Sequence, residues 1–231
     1  MKSGIIYEGP SAYDGKPIVV IATYSNRNRK TGGVLQTYIL CADSNPLEAS
    51  KTGQDFTICG KCPHRGTPTD DPARKIAKGR TCYVNLGQGV LIVWKAYTRG
   101  IYPDATTPTS RKALGAGRIV RVGTYGDPAA CPAHVWDELL SDCAAHMAYT
   151  HAGDWRPDIA MQSADSLTDA QDAWAKGQRT FRVLQNVSEL TKQEVLCPAS
   201  KEAGQRTTCN ACKLCGGLAT KSPKSIAIVQ H

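Results

Sequence analysis

Phenylalanine is scarce in this sequence, 2 in 231 residues, while glycine at 21 is somewhat high, a balance that suits many tight turns between short elements. No apolar run approaches the roughly 18 residues that a membrane span needs. Met1 to Tyr13 is polar and glycine-containing, without the apolar stretch of a secretory signal. No internal repeat or low-complexity tract stands out. These absences make the cytoplasm the expected location. Thiols stay reduced there, so the ten cysteines read as ligands or core residues before they read as disulfides. A chain of this length buries a full core without cross-links, and residues 1–231 read as a single domain.

Hydrophobic residues make up 41% and charged residues 21%, an ordinary globular balance. The net charge of +8 is uneven: residues 1–100 hold 14 Lys and Arg against 7 Asp and Glu, and residues 101–231 hold 14 against 13. A basic half favours an anionic partner, nucleic acid or nucleotide. Its candidate surface is Arg27, Arg29 and Lys30 in a turn-rich loop, with Arg74, Lys75, Lys78 and Arg80. The competing reading is a solvated face that serves solubility. No partner is expected in a membrane, and the oligomeric state is not readable.

Strand-like and helix-like segments alternate. Residues 17–24 and 35–41 read as two strands of a long-looped hairpin, and 42–82 as loop. Residues 89–99 and 108–115 read as helices. A regular series follows: strand 118–125, helix 132–145, strands 146–150 and 159–163, helix 166–176, strand 180–184 and a last strand at 225–229. Ser166 is the expected cap of its helix and Gly177 its stop. This pattern predicts an α/β fold with a mostly parallel sheet, a partial or complete βα barrel, and a cysteine-rich metal-binding segment at about 195–217. In such folds the site lies at the C-terminal strand ends. Here those ends are polar: Gly126-Asp127-Pro128, Thr150-His151, Ser163-Ala164-Asp165 and Gln185-Asn186.

The strongest chemical signal is Cys197-Pro198 followed by Cys209, Cys212 and Cys215. Two-residue gaps turn successive thiolates onto one centre, and four thiolates complete either a 4Fe–4S cluster or a tetrahedral zinc site. The run of three with a remote Cys-Pro favours iron–sulfur. Arg206 and Lys213 nearby would offset the thiolate charge. A second set, Cys59, Cys62 and Cys82, would leave one iron open; a fourth ligand from Cys41 or His64 would close it, as zinc requires. Packing alone is the alternative for this set. Cys143 is expected in the core within helix 132–145, and Cys131 beside the Asp127 turn stays ambiguous. Asp127, His151 and Asp165 are candidate catalytic residues at strand ends, weighed against caps and turn bonds.

Four features in order resemble uncharacterised bacteriophage proteins related to the mycobacteriophage gene-product-88 family over roughly residues 55–217. They are Cys82-Tyr83, Gly126-Asp127 after a strand, Tyr149-Thr150, and the Cys-Pro plus C-x2-C-x2-C segment. The resemblance implies phage or prophage origin and hence a host cytoplasm; it supplies no activity. A cysteine set early in a βα barrel, then a Gly-Asp-Pro turn after a strand, is also similar to radical S-adenosylmethionine enzymes. That likeness implies S-adenosylmethionine as a cofactor, with Asp127 and Pro128 in the turn that holds its amine. The usual C-x3-C-x2-C spacing is absent. Three functions follow as expectations: an iron–sulfur enzyme acting on a nucleotide, nucleic acid or related small molecule; a zinc-stabilised nucleic-acid-binding protein without catalysis; and a base-exchange enzyme similar to the tRNA-guanine transglycosylases.

Overall fold

The computed structural model describes residues 2–25 and 30–230. Three strands open the chain: β1 (Ser3–Pro10), β2 (Pro17–Ser25) and β3 (Val34–Cys41), each antiparallel to the next. The long-looped β2–β3 hairpin is as expected. β1 is an addition within a stretch read only as polar; its signal is Ile5-Ile6-Tyr7, of which Ile6 is wholly buried.

The β3–β4 connection is less loop-like than its composition suggests. It begins with α1 (Pro46–Thr52) and α2 (Phe56–Cys59). Asn45 caps α1 by accepting from the N–H groups of Leu47 and Glu48, Pro46 sits at the first helical position, and Gly53 ends the helix in the left-handed conformation. The signals are sound, but seven residues leave no apolar period to read. α3 (Leu91–Thr98) and α4 (Pro108–Gly115) stand where expected.

The regular series follows: β4 (Ile119–Tyr125), α5 (Ala133–Leu140), β5 (Ala145–Thr150), β6 (Met161–Ala164), α6 (Leu167–Ala175) and β7 (Thr180–Leu184). Ser166 caps α6 as expected, accepting from Asp169 N. Helix α5 ends before the expected boundary. Gly117 N bonds Asp142 O and Ala144 N bonds Arg118 O, so the segment after Leu140 is a turn strapped to the start of β4. Cys143 therefore lies past the helix, though still packed against the core. The chain closes with β8 (Glu194–Leu196), the single turn α7 (Cys209–Cys212) and β9 (Ser225–Val229).

All nine strands form one sheet in the order β1-β2-β3-β4-β5-β6-β7-β9-β8, parallel from β3 onward. Among the described residues no ladder joins β1 to β8. The sheet is open, so the complete barrel is not formed. The cysteine segment is not a tail either: it is the β8–β9 crossover, and β9 returns to pair between β7 and β8.

One face of the sheet carries the core. Val120, Val122 and Ala148 pack against Leu114 of α4 and Val135, Trp136 and Leu139 of α5. Fully burying each large aliphatic here contributes about 1.5–3 kcal/mol. At the β3–β4 junction the register shifts between Gln36 and Tyr38. Thr37 bridges the shift, its hydroxyl donating to Arg121 O and accepting from Gly123 N. No helix of the described residues is long and apolar enough to cross a membrane.

Candidate metal centres in one cavity

A cavity of about 590 Å³ runs along the sheet face opposite α4 and α5. The two-residue period of a strand supplies its floor: Arg121 and Gly123 from β4, Met147 and Tyr149 from β5, Phe181 and Val183 from β7, Ile226 and Ile228 from β9. All ten cysteines are free thiols. Both cysteine sets line this cavity, at opposite ends of the parallel strands.

The first set stands at the C-terminal ends. Cys59 closes α2, and Cys62 N bonds Cys59 O across Gly60. Gly60 is left-handed (φ 54°), and a Cβ there would meet the Tyr13 ring at 2.8 Å. Cys82 arrives from the far side of the same connection because Thr81 N and Cys82 N both bond His64 O. Burial drives the Cys59 thiol well above its ordinary range, with Asp55 and the sulfurs of Cys62 and Cys82 adding to it. Burial also raises Cys82, opposed by Arg80, whose guanidinium donates to Cys82 O.

Neither expected fourth ligand turns toward these three sulfurs. Cys41 is buried away from the cavity, donates to Gln54 O at 3.5 Å, and is pushed up to about 12 by burial. His64 has both ring nitrogens engaged, Nδ1 with Thr81 Oγ1 and Nε2 with Asp165 Oδ1, each at 2.8 Å.

The second set sits against the N-terminal halves of the strands. Cys209 and Cys215 pack on Val34, Ile119 and Met147. Thr208 caps the α7 turn, Lys213 leaves it in the left-handed region, and the segment is stitched down by bonds from Cys209 N to Lys30 O and from Ala148 N to Cys215 O. Arg179, only 5% exposed, donates to Leu214 O, Gly217 O and Lys224 O and fixes the return path. Cys197 follows β8 directly, with its N–H on Ala227 O. Burial raises Cys209 and Cys212 and pushes Cys215 up to about 12, where the other three sulfurs also act and a Tyr149 hydroxyl bond opposes. Lys213 lines the cavity, whereas Arg206 is exposed and bonded to Ala203 O.

The candidate catalytic residues converge, with different roles. Asp127 is buried and its carboxylate is spent within the fold: Oδ1 accepts from Ala129 N and Thr150 Oγ1, Oδ2 from His151 N. Burial raises its pKa against those bonds. It locks the β4 turn to the end of β5. His151 and Asp165 face each other, His151 Nε2 lying 3.4 Å from Asp165 Oδ2. Burial disfavours the His151 cation, yet the Asp165 carboxylate and the Cys62 sulfur beside it outweigh that and push its pKa up to about 10. Asp165 falls to about 2, held by His151 against burial and by His64. Among the described residues, His64, His151 and Asp165 are the one group of three or more His, Cys, Asp or Glu whose ligand atoms all lie within 4.8 Å; no three cysteine sulfurs approach so closely.

The basic residues do not form one surface. Arg27 and Arg29 lie outside the described residues. Arg74, Lys75 and Lys78 are exposed, Arg74 beside Asp71, whereas Lys30 and Arg80 line the cavity. Arg121 was missed by the sequence reading. It lies mid-floor, bonded to the Tyr83 hydroxyl, and has no carboxylate within ion-pair distance among the described residues. Its odd-numbered position in β4, in step with Gly123 and Tyr125, was the available signal. Comparison with protein-family models, with curated proteins and with solved structures finds no match to this chain.

Proposed function

We propose that this chain is an iron–sulfur enzyme with a 4Fe–4S cluster on Cys59, Cys62 and Cys82 and a second one on Cys197, Cys209, Cys212 and Cys215. One observation carries the reading. Three cysteines of the β3–β4 connection line the cavity at the C-terminal strand ends, while Cys41 and His64 are bonded elsewhere. Such a set leaves one iron without a protein ligand. The run of Cys209, Cys212 and Cys215 at two-residue gaps with a remote Cys197-Pro198 favours a cluster over zinc, which more often takes two separated pairs. Buried thiols with raised pKa values would release their protons as a metal centre binds them.

The consecutive order β3 to β7, with the cysteine-bearing connection after β3 and the Gly-Asp-Pro turn after β4, supports reading this region as a partial βα barrel. It favours the radical S-adenosylmethionine type of chemistry, in which a cluster held by Cys59, Cys62 and Cys82 would pass one electron, received from an external reductant, to the cofactor. In this reading Asp127 shapes the turn, and its carboxylate is not the ligand of the cofactor amine. Tyr149 and Phe181, with ring centroids 4.5 Å apart, offer an aromatic wall, and Arg121, Lys30 and Arg80 offer cations. A nucleotide or a nucleic-acid end is the substrate class that such a wall and such charges suit. Phage origin and a host cytoplasm remain part of the proposal through the family resemblance.

The test is anaerobic purification with iron and sulfide counted per chain. Two clusters are expected, each of Cys59→Ala, Cys62→Ala and Cys82→Ala losing one, and S-adenosylmethionine changing the electron paramagnetic resonance of the reduced protein. Zinc without sulfide, or unchanged iron in all three variants, refutes the reading.

A further inference from the structure

His64, His151 and Asp165 come from three separate connections. His64 lies in the turn Pro63–Arg65 between β3 and β4, His151 directly follows β5, and Asp165 directly follows β6. Nothing local in the sequence pairs them; the parallel sheet brings them together at its C-terminal edge. We propose that these three side chains bind a divalent first-row transition-metal ion, at a site whose three ligands belong to neither cysteine set.

One ligand atom from each residue lies within 4.8 Å of the other two, close enough to share one ion. A metal with bonds of about 2.0–2.2 Å places neighbouring ligand atoms about 3.0 Å apart in an octahedron and about 3.4 Å apart in a tetrahedron. Asp165 Oδ1 stands 2.8 Å from His64 Nε2, and Oδ2 stands 3.4 Å from His151 Nε2. The rings meet edge to face with centroids 5.6 Å apart, so neither blocks the other's nitrogen.

The surroundings hold the ligands in place. His64 Nδ1 is bonded to Thr81 Oγ1 at 2.8 Å, which fixes the ring and points Nε2 at the site. The main chain of His151 is anchored through its N–H on Asp127 Oδ2 at 2.8 Å, and Asp127 is itself held by Thr150 and Ala129. Thus the buried aspartate that the cofactor does not need becomes a positioning residue for this second site. His151 Nε2 is shut off from solvent yet has no aligned hydrogen-bond partner. A buried polar atom left so is costly unless something absent from the protein satisfies it. The His64 and Asp165 side chains keep 34% and 33% of their exposure and line the cavity, so an ion bound there keeps positions open for water or substrate.

Two imidazoles and one carboxylate select the ion class. Imidazole suits iron(II), cobalt(II) and zinc(II), whereas magnesium and calcium favour all-oxygen shells. The Cys62 sulfur lies close enough to His151 to act on its pKa, so thiolate capture of the ion is the rival outcome to be separated.

The proposal does not rest on the iron–sulfur reading, and one set of samples tests both. The full chain is purified without air, its iron and sulfide are counted, and cobalt(II) is titrated by equilibrium dialysis with visible absorption. One cobalt per chain is expected, with weak ligand-field bands and no intense sulfur charge-transfer band. Asp165→Asn and His64→Gln should each lose the site. Thr81→Val should weaken it about 10–100-fold, and Cys62→Ser should retain it. Circular dichroism identifies any variant that fails to fold, and the remaining variants then decide. Absence of cobalt binding overturns the proposal. So does binding unchanged in the folded Asp165 and His64 variants, or a charge-transfer band that disappears with Cys62. Loss of iron and sulfide alone touches only the cluster reading.

Discussion

Arg182 of β7 and Glu194 of β8 are not neighbours in the sheet, because β9 runs between their strands. Their side chains reach across it and form a two-bond fork: Nε to Oε1 at 2.8 Å and Nη2 to Oε2 at 2.7 Å. They are 4% and 0% exposed. Glu194 Oε2 also accepts from Thr191 N and Oγ1, and Arg182 donates to Glu189 O. Truncation by Glu194→Ala leaves the guanidinium buried without its counter-charge, a loss of about 3–5 kcal/mol. For a chain of this size each kcal/mol lowers Tm by about 2–4 °C, so the expected fall is about 6–20 °C. Replacing both partners, Arg182→Met with Glu194→Leu, should recover most of it, since an apolar pair has no charge to desolvate.

The pH dependence follows from the direction of the Glu194 shift. Burial raises its pKa, but the Arg182 fork and the Thr191 bonds prevail and lower it below its ordinary 4.5. A carboxylate lowered on folding contributes stability above its unfolded pKa and loses it as pH falls through the folded value. The Tm gap between the natural chain and Glu194→Gln should therefore stay constant from neutral pH to about 5 and shrink below about 4.5. Scanning calorimetry across that range is the assay. A Tm fall under 2 °C for Glu194→Ala, or a gap that widens in acid, refutes the reasoning. A second readout is metal content: β8 delivers Cys197, so loosening it should cost the C-terminal centre first.

Cys212→Ser is expected to lower Tm and to remove about one centre's worth of metal; unchanged metal content and Tm would sink the assignment of that set. Gly126→Ala should destabilise the chain by well over about 1 kcal/mol in urea unfolding, because Gly126 has φ 80° and a Cβ there meets Ile39 Cβ at 2.7 Å. If the exposed Arg74, Lys75 and Lys78 contact phosphates, retention on heparin should fall steeply with salt and fall further in the triple alanine variant. No retention at low salt removes nucleic acid from the partners.

The sequence by itself determined the periodic elements and the candidate metal ligands. β4 to β7 and α6 were legible because two-residue alternation, a serine cap and a glycine stop are local facts. The spacing of Cys209, Cys212 and Cys215 was legible for the same reason, since a capped turn holds the first two and Cys215 follows three residues on. α1 and β8 were not, being too short to show a period. The sequence also placed the polar strand ends, but it could not tell which would meet. Only the tertiary structure put His64 beside Asp165, 101 residues away, and turned Asp127 from a free acid into a lock between β4 and β5. It also left the barrel open, because β9 pairs between β7 and β8 and makes β8 an edge. Strand order and side-chain partners depend on long-range pairing, which no local pattern encodes, and that pairing set both cysteine centres at the two ends of one cavity.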